Sequence, residues 1–465
     1  MITYMRITII GAGPGGYETA LEAAGRGVEV TLVSDGPVGG TCLNEGCIPT
    51  KALCRNAEVL ETLASASSYG VEALAFGFDY RKVIERKDQT VTTLRSGVEF
   101  LLKSRKVNLV YGKASLAGPH EVKVALRDGG ETSLESDFII VATGSVPAWL
   151  PVPGADLEGV VDSSGILSMT EVPRRLCVIG GGVIGLEFAS VFKSFGSQVT
   201  VLEYFPEIIP RFDKDIAKRL KQSLSKRGIE IITSAKVEGV SSTADGLSVS
   251  YDRKDETLTV CADKVLMAVG RRPALGSLDF ASVGIETDRA VKVNSYMQTS
   301  VPSIYAIGDI TGGWMLAHAA TFQGLRALNH ILAGQPSDGP VDRIRLDLVP
   351  AAVFTVPEVA VVGFSEEDCK ERGIAFKAHK SFFRANGKAL AMGEPEGLCK
   401  ILVSSGSEEY PAGEILGCHI MGVHAADLVQ EVCTLMNSHG TIGDLGAVIH
   451  SHPTLSEVVL SAARA

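Results

Sequence analysis

Two cysteines, Cys42 and Cys47, lie close together in the stretch GGTCLNEGCIPTKAL that runs from Gly39 to Leu53. Thiols at this spacing can cycle between a dithiol and a disulfide, and close cysteine pairs in cytosolic proteins are usually catalytic. Two reduced, buried thiols without a reaction are the alternative interpretation. The remaining cysteines lie in apolar or mixed contexts, which predicts buried and inert thiols, and none forms a CxxC metal pattern.

The spacing of the two cysteines restricts the backbone between them. In a continuous α-helix, residues five apart have Cα atoms about 8.7 Å apart, beyond the roughly 7 Å limit for a disulfide. Pairing therefore requires a break in the helix, which Asn44 and Gly46 permit. Pro49 suits the first turn of a helix that starts just after Cys47. Cys47 would then lie at the positive end of the helix dipole with Lys51 one turn on, and both stabilise a thiolate.

A glycine motif occurs twice, because IIGAGPGGYETALEAAGRGVEVTLVS from Ile9 aligns with VIGGGVIGLEFASVFKSFGSQVTVLE from Val178. Each copy has the order of a dinucleotide-binding fold: apolar strand, glycine turn, amphipathic helix and second strand. A pyrophosphate at the helix N-terminus meets free N–H groups, and glycine lets the backbone approach it. A single copy could be only a tight turn, but two copies predict two dinucleotide sites. Their glycines are Gly11, Gly13 and Gly16, and Gly180, Gly182 and Gly185.

The second strand of such a fold should end on an acid that accepts hydrogen bonds from a ribose. Glu203 has this place in the second copy, where a carboxylate would repel a 2′-phosphate. Residues 204–206 (Tyr-Phe-Pro) offer no arginine to hold one, so we predict NAD rather than NADP. In the first copy the equivalent residue is Ser34, with Asp35 beside it, so the ribose contact is either shifted by one residue or lost.

The composition is that of a globular enzyme with several domains. At about 150 residues per domain, 465 residues suggest about three domains, and 45% apolar with 21% charged residues argues against disorder. A net charge of −10 without a basic block makes nucleic acid and anionic membranes poor partners. No apolar run reaches the roughly 18 residues of a spanning helix. Because the chain starts without a cleavable hydrophobic segment, we expect a cytoplasmic protein.

The order of patterns predicts an α/β fold with two Rossmann-like dinucleotide-binding domains and a C-terminal α+β domain without a nucleotide motif. The predicted boundaries are 1–150, 151–273, a central segment at 274–345, and an interface domain at 346–465. Helices are predicted at 49–66 and 80–105, and strands at 107–116, 121–127 and 138–142.

Seven motifs follow one another over nearly the whole chain: GAGPGG at Gly11, CLNEGC at Cys42, VATGS at Val141, GGGVIGLE at Gly180, YAIGD at Tyr305, LAHAAT at Leu316 and HSHPTLSE at His450. With them the chain resembles the flavoprotein disulfide reductases, most closely the dihydrolipoyl dehydrogenases. The resemblance implies that the first glycine motif binds FAD, the second binds NAD, and the last domain forms a homodimer. It further implies oxidation of dihydrolipoyl groups in 2-oxo acid dehydrogenase or glycine cleavage complexes.

The resemblance also implies roles for the residues near the flavin. Cys47 corresponds to the flavin-proximal thiolate and Cys42 to the interchange thiol that attacks substrate. Lys51 and Glu187 match an ion pair beside the flavin N5, although either could be an ordinary surface residue. The further FAD contacts it implies are Gly40, Thr41, Gly112, Ala114, Thr143, Gly144, Ser145, Gly308, Asp309, Met315, Leu316, Ala317 and His318, and the further NAD contacts are Ile184 and Gly270. For His318 the residues themselves favour the alternative of a packing or backbone-bonded histidine.

His452 and Glu457 match the acid-base pair of the family. A neutral imidazole can take a proton from an incoming thiol, and a carboxylate on its other ring nitrogen fixes the tautomer. The alternative is a capping box, because Thr454 and Glu457 have the spacing that begins a helix. The resemblance also implies a cis bond between His452 and Pro453.

Three residues depart from the family pattern: Glu45 replaces an apolar residue, Gln323 replaces a common acid, and Ser34 replaces the ribose acid. They leave redox poise and flavin affinity open. Glu203 disfavours glutathione reductase, and the absence of a C-terminal cysteine pair disfavours mercuric reductase. A non-catalytic scaffold subunit is a further alternative, against which the intact cysteines and His452 argue.

Overall fold

Two parallel sheets carry the two glycine motifs. The computed structural model describes residues 5–72 and 76–465, and its chain forms two compact units. Unit 1 contains the described parts of Met1–Ala52, Asp79–Ala148 and Arg271–Leu346, and unit 2 those of Leu53–Phe78, Trp149–Gly270 and Asp347–Ala465. The predicted α/β class is confirmed, whereas the predicted four-part division stays a prediction.

The elements have the following bounds in the described residues. The strands are β1 (Arg6–Ile10), β2 (Glu29–Ser34), β3 (Asn108–Gly118), β4 (Glu121–Leu126), β5 (Glu131–Glu135), β6 (Phe138–Val141), β7 (Ser145–Pro147), β8 (Val160–Val161), β9 (Arg175–Ile179), β10 (Gln198–Glu203), β11 (Glu230–Thr233), β12 (Lys236–Thr243), β13 (Gly246–Arg253), β14 (Glu256–Ala262), β15 (Lys264–Met267), β16 (Arg271–Pro273), β17 (Ile304–Ala306), β18 (Ala351–Val353), β19 (Val359–Gly363), β20 (Phe376–Phe382), β21 (Leu398–Ser404) and β22 (Ile415–Met421). The helices are α1 (Pro14–Gly25), α2 (Gly40–Glu45), α3 (Cys47–Ala64), α4 (Tyr80–Ser104), α5 (Ser163–Leu167), α6 (Val183–Ser194), α7 (Lys214–Lys226), α8 (Ala317–Leu332), α9 (Glu366–Glu371), α10 (Gly387–Ala391), α11 (Ala425–Met436), α12 (Ile442–Ala447) and α13 (Glu457–Ala463).

Unit 1 contains a seven-stranded sheet in the order β17-β6-β1-β2-β3-β4-β5. Strands β17 to β3 are parallel, whereas β4 and β5 extend the sheet with antiparallel pairs. The parallel strands are apolar on both faces, as expected when both faces are covered. Ile7 and Ile9 pack in a core with residues of α4 and α8, and Ile10 packs on the other side with residues of β4.

Unit 2 repeats the pattern with a parallel sheet in the order β11-β10-β9-β15-β8. An antiparallel sheet, β12-β13-β14, packs its apolar side chains with those of β9 and β15. Cys261 lies on β14, the edge strand of that sheet, and is exposed. The prediction of a buried thiol is therefore wrong at this position, because alternation along an edge strand turns every second side chain to solvent.

The C-terminal part of unit 2 contains an antiparallel sheet in the order β18-β19-β22-β21-β20. Every residue of the central strand β22 and of its neighbour β21 is buried. One face packs apolar residues against α11 and α13. The opposite face carries two polar side chains that are paired across the strands, Lys400 and His419.

Lys400 is buried among carboxylates. Its ammonium lies 2.8 Å from an oxygen of Asp213, which precedes α7, 3.1 Å from Asp215, and 2.5 Å from Glu366 of α9. The Lys400 and Asp213 side chains are each only 1% exposed. These ion pairs tie the start of α7 to the sheet, and removing one partner would leave the other charge buried without compensation.

We expect Lys400→Met to destabilise the protein by about 3–5 kcal/mol, the usual cost of breaking a buried ion pair from one side. Unfolding in urea, followed by circular dichroism, measures the loss. Lys380→Met is the matched control, because the Lys380 side chain is 38% exposed and pairs with Asp215 at the surface, where about 0–1 kcal/mol is at stake. Equal losses for the two variants would contradict this account of Lys400.

Candidate functional site

The helix breaks between the two cysteines, as the spacing predicts. Helix α2 ends at Glu45, and α3 begins at Cys47. Gly46 adopts φ −143° and ψ −109° between them, and a Cβ added to Gly46 would lie 3.0 Å from the Thr41 carbonyl oxygen. The backbone therefore leaves helical geometry at Gly46, at a point with little room for a side chain.

The two thiols are reduced, with Cys42 half-buried and Cys47 exposed. The hydrogen bond with the Cys47 sulfur raises the pKa of the Cys42 thiol, and burial adds to the rise, while the Lys51 ammonium opposes it. Both the hydrogen bond and burial therefore disfavour a thiolate at Cys42. Cys47 lies at the N-terminus of α3, where the helix dipole stabilises negative charge. This polarity agrees with Cys42 as the interchange thiol and Cys47 as the thiolate, which stay predictions.

The first glycine turn is closed by contacts that only glycine permits. Gly11 has φ +109°, and a Cβ there would lie 2.3 Å from the Ala142 carbonyl oxygen. A Cβ on Gly16 would lie 1.8 Å from the Gly11 carbonyl oxygen, and one on Gly40, which has φ +55°, 2.6 Å from the Gly13 Cα. The turn after β1, the start of α2 and the end of β6 therefore meet. Gly13 caps α1 without a side-chain hydrogen bond, which leaves the helix N-terminus available to a pyrophosphate.

Two further polar groups lie where the neighbouring parallel strands of the same sheet end. Thr143 follows β6, and its buried hydroxyl has no partner among the described residues. Asp309 follows β17 in a 3₁₀ turn, Gly308–Thr311, and accepts a hydrogen bond from the Ser145 hydroxyl at 2.5 Å. Gly144 lies between these groups with φ +73° and open space at its Cβ position. The glycine cradle, the unpartnered hydroxyl and the carboxylate fit a dinucleotide with a hydroxylated chain, as FAD has.

Helix α8 begins beside the Asp309 turn. Met315, Leu316 and Ala317 are half-buried at its start, and His318 is exposed on its first turn. Leu316 caps α8 without a side-chain hydrogen bond. The Gln323 side-chain oxygen accepts the Gly308 N–H at 2.6 Å, so this departure from the family pattern serves to hold the turn that carries Asp309.

The remaining predicted FAD contacts lie on or near the same sheet. Gly112 and Ala114 are buried on β3, where the Ala114 side chain belongs to an apolar core. Ser34 is buried at the end of β2 and donates its hydroxyl hydrogen to the Gly36 carbonyl oxygen. Asp35 and Thr41 are exposed. Whether the ribose contact is shifted to Asp35 or lost therefore stays open.

The second glycine turn repeats the geometry of the first. Gly180 has φ +111°, and a Cβ there would lie 2.4 Å from the Ala268 carbonyl oxygen. A Cβ on Gly185 would lie 2.0 Å from the Gly180 carbonyl oxygen, whereas Gly182 and Gly270 face open space. Ile184 is half-buried on the first turn of α6. The repeat in sequence is therefore a repeat of the same close-packed turn.

Glu203 ends β10 beside this turn and is buried. One carboxylate oxygen accepts the Gly181 N–H at 2.6 Å and the other accepts the Phe205 N–H at 2.7 Å. These two bonds fix the carboxylate next to the glycine turn, where a ribose is expected. A carboxylate has acceptor capacity left after two bonds, so it can still bind the two ribose hydroxyls.

The predicted ion pair between Lys51 and Glu187 involves residues of different units and stays a prediction. Glu187 is buried on α6, and one of its carboxylate oxygens accepts the Phe354 N–H at 3.0 Å. Lys51 lies on α3, one turn after Cys47. Neither residue is the ordinary solvated surface residue that the alternative supposed, because Glu187 is buried and Lys51 is half-buried.

His452 and Glu457 form a hydrogen-bonded pair. The imidazole Nδ1 lies 2.9 Å from a Glu457 oxygen, and the His452 side chain is 78% exposed. Because a carboxylate only accepts, Nδ1 carries the proton of the neutral ring and Nε2 keeps a lone pair. The His452–Pro453 bond is cis, as predicted. The Thr454 N–H, and then the His452 ring, lower the pKa of Glu457, so it remains a carboxylate.

The capping-box interpretation holds only in part. Glu457 accepts the Thr454 N–H at 2.9 Å, but the Thr454 hydroxyl donates to the Ser451 carbonyl oxygen. Helix α13 begins at Glu457 with Ser456 as its N-cap. Thr454 is therefore not the N-cap, and Glu457 holds both the imidazole and the loop before the helix.

His450, the first residue of the HSHPTLSE motif, has a buried side chain near this pair. Its Nε2 lies 2.8 Å from a Glu431 oxygen, and its side chain is 4% exposed. The Glu431 partner comes from α11, and no local sequence signal connects the two residues. The only sequence signal for His450 is its position two residues before His452.

The fold and these sites define a class of protein with two dinucleotide-binding sites, a close thiol pair, and a histidine held by a carboxylate. Residues 5–324 match the family model for pyridine nucleotide-disulphide oxidoreductases, and residues 349–463 match the dimerisation domain of that family. The chain belongs to the pyridine nucleotide-disulphide oxidoreductase family. It is an FAD- and NAD-dependent oxidoreductase, and the dimerisation domain supports the predicted homodimer.

Curated relatives and solved structures extend this likeness over the whole chain. Dihydrolipoyl dehydrogenase of Geobacillus stearothermophilus is 41% identical over 457 residues, which cover 98% of this chain and 94% of that protein. Leghemoglobin reductase of Vigna unguiculata is 38% identical over 99% of this chain and 87% of that protein. The structure of LpdA from Mycobacterium tuberculosis superposes with a TM-score of 0.89 at 27% identity, covering 99% of both chains. The HOCl-induced flavoprotein disulfide reductase RclA from Escherichia coli gives 0.84 at 30% identity, covering 98% of both.

Two searches of the described residues bear on membranes and metals. Across 5–72 and 76–465, no helix has the length and apolar character that crossing a bilayer requires. The same residues contain no group of three or more histidine, cysteine or acidic side chains placed to hold a metal ion.

Proposed function

We propose that this protein oxidises protein-bound dihydrolipoyl groups to the lipoyl disulfide and reduces NAD, using the Cys42–Cys47 pair and FAD. The observation that carries the proposal is the contact between the Cys42 and Cys47 thiols, with Cys47 at the N-terminus of α3. Relatives named dihydrolipoyl dehydrogenase, about 40% identical over nearly the whole chain, support this substrate class. Service in a 2-oxo acid dehydrogenase or glycine cleavage complex, and a cytoplasmic location, are part of the same proposal.

The proposed reaction starts from the oxidised Cys42–Cys47 disulfide. One substrate thiolate attacks the Cys42 sulfur, so that a mixed disulfide forms and Cys47 leaves as a thiolate. The second substrate thiol, which loses its proton to solvent, then attacks the substrate sulfur of that mixed disulfide as a thiolate. This attack closes the lipoyl disulfide and releases Cys42, which becomes a thiol with the proton held by His452. The two electrons of the substrate now lie on the cysteine pair.

His452 is proposed to accept the proton of the attacking substrate thiol at its Nε2 atom. Glu457 stabilises the resulting imidazolium, because its carboxylate already accepts the Nδ1–H hydrogen bond. The same imidazolium can return its proton to Cys42 when the lipoyl disulfide leaves. By resemblance, His452 serves the cysteine pair of the partner subunit in the homodimer.

When bound, FAD supplies a two-electron acceptor between the reduced cysteines and NAD. The first glycine turn and α1 are proposed to hold its pyrophosphate, with Thr143 and Asp309 bonding its hydroxyl-bearing groups. The second glycine turn and Glu203 are proposed to hold NAD. Lys51 and Glu187 are proposed to form the ion pair beside the flavin.

Steady-state assays of the purified protein with paired substrates test the proposal. We expect rapid NADH formation from dihydrolipoamide and NAD, and no significant oxidation of NADPH or NADH by glutathione disulfide. Lipoylated domains from a 2-oxo acid dehydrogenase and from a glycine cleavage system, compared at equal concentration, would identify the complex. Turnover of glutathione disulfide but not dihydrolipoamide would overturn the proposed substrate class.

We expect Glu203 to enforce NAD over NADP by roughly a hundredfold or more in kcat/KM, a few kcal/mol at about 1.4 kcal/mol per decade. A 2′-phosphate removes one hydroxyl bond to the carboxylate and adds repulsion between two anions. Glu203→Ala combined with Tyr204→Arg should narrow this ratio, because the repulsion is removed and a guanidinium is added. Glu207→Ala is the control, because it removes a nearby carboxylate in the chain that pairs with Lys221 instead, and it should leave the ratio unchanged. Equal use of both cofactors by the native enzyme would contradict this role.

A further inference from the structure

A chain of hydrogen bonds in unit 1 joins the small β7–β16 sheet to the turn after β17. The Arg271 Nε and Nη2 atoms lie 2.7 Å and 2.8 Å from the Ser145 hydroxyl and carbonyl oxygens. The Ser145 hydroxyl lies 2.5 Å from one Asp309 carboxylate oxygen, Oδ2. Antiparallel pairing of β16 with β7 brings these residues together, although Arg271 is distant from both in sequence.

The chemistry of the three groups fixes the direction of this chain. A guanidinium only donates, so the Ser145 hydroxyl must accept from Arg271. Its single hydrogen then goes to Asp309, whose carboxylate only accepts. The other Asp309 oxygen, Oδ1, has no hydrogen bond from any residue in 5–72 or 76–465. One oxygen of Asp309 is therefore engaged by the protein and the other is available to a ligand.

We propose that Arg271 is a positioning residue for FAD: through the Ser145 hydroxyl it holds Asp309 so that Oδ1 faces a hydroxyl of the cofactor's ribityl chain. A hydroxyl polarised by a cation is a stronger donor to a carboxylate than an unpolarised one. Fixing the carboxylate before binding lowers the cost of ordering it when the cofactor arrives. This inference rests on the proposed placement of FAD at the first glycine turn.

The backbone of the Asp309 turn is held independently of Arg271. The Gly308 N–H donates to the buried Gln323 side chain of α8 at 2.6 Å, and the Thr311 hydroxyl closes the turn on the Gly308 carbonyl oxygen. Loss of Arg271 should therefore free the Asp309 carboxylate without unfolding the turn. A loss of FAD affinity without a loss of stability would therefore indicate a positioning role for Arg271 rather than a general structural one.

The test measures the FAD dissociation constant by flavin fluorescence, starting from the holoenzyme. Arg271→Gln should weaken FAD binding about tenfold or more, or about 1.4 kcal/mol, while the unfolding temperature of the apoprotein stays at the native value. Arg271→Lys keeps the charge and one donor, so it should restore part of the affinity. Arg272→Gln, an exposed neighbour on the same strand, should bind FAD like the native protein.

The same Arg271 substitution in a Ser145→Ala protein separates the two hydrogen bonds of Arg271, one to the Ser145 hydroxyl and one to the Ser145 carbonyl oxygen. In Ser145→Ala, which removes the hydroxyl and keeps the carbonyl, Arg271→Gln should cause no further loss of FAD affinity. An equal further loss in that background, or native affinity in Arg271→Gln itself, overturns the inference. A native protein that binds no FAD would instead contradict the proposed function.

Discussion

Cys47→Ser should abolish dihydrolipoamide oxidation while FAD stays bound. Without the Cys47 sulfur no disulfide can form with Cys42, so the substrate thiolate has no bond to attack. The first glycine turn and Asp309, which are proposed to hold FAD, do not involve Cys47. We expect kcat to fall by at least roughly 10³-fold, as for the loss of a covalent catalytic group.

Initial rates of NADH formation and the flavin content of the purified variant measure this pair of outcomes. Cys261→Ser is the matched control, because Cys261 is also an exposed thiol but lies on β14, in a sheet that carries neither glycine turn. It should keep native activity. A folded, flavin-containing Cys47→Ser protein with normal turnover would refute the assignment.

His452→Gln should lower dihydrolipoamide oxidation by about 10²–10⁴-fold, the range expected for loss of a general acid-base group. Glutamine can occupy the space and bond Glu457, but it cannot take a proton at neutral pH. His439→Asn is the control, because His439 is also exposed and its Nδ1 atom also lies 2.8 Å from a carboxylate, that of Glu414. Asparagine tolerates the left-handed φ of +54° at that position.

Complementation between inactive chains shows which subunit supplies His452. After dissociation and reassembly, a heterodimer of Cys42→Ser and His452→Gln chains should contain one complete site and one doubly defective site. Recovery of activity on mixing, with heterodimers confirmed by differently sized tags, supports a shared site. Confirmed heterodimers that remain at the activity of the two parents would place His452 within its own chain's site.

The parts of the fold that could be predicted from the sequence are those with local causes. The glycine turns are recognisable in the sequence because Gly11 and Gly180 adopt positive φ and lie against neighbouring backbone, so that glycine is required at both positions. The break before Cys47 was predictable because pairing two cysteines at that spacing excludes a continuous helix. Strands β3, β4 and β6 and helices α3 and α4 begin and end within two residues of their predicted bounds.

The parts that could not be predicted depend on residues far apart in the chain. Strand β5 has an alternating but largely polar sequence, so only its pairing with β4 identifies it. Lys400 resembles any strand lysine until α7 and α9 bring carboxylates to it. Arg271 lies next to a predicted domain boundary, and only the pairing of β16 with β7 brings it to Ser145. The exposure of Cys261 likewise follows from the position of β14 at an edge.

An anaerobic titration with dihydrolipoamide, followed by absorbance, tests most directly whether electrons pass from substrate to a cysteine pair in contact with the flavin. Two-electron reduction of the native holoenzyme should produce a long-wavelength band, because the proposed route leaves Cys47 as a thiolate that would interact with the oxidised flavin. The Cys47→Ser protein should lack this band under the same conditions. Simple bleaching of the native flavin, without the band, would contradict the assignment of Cys47 and the proposed route of electrons.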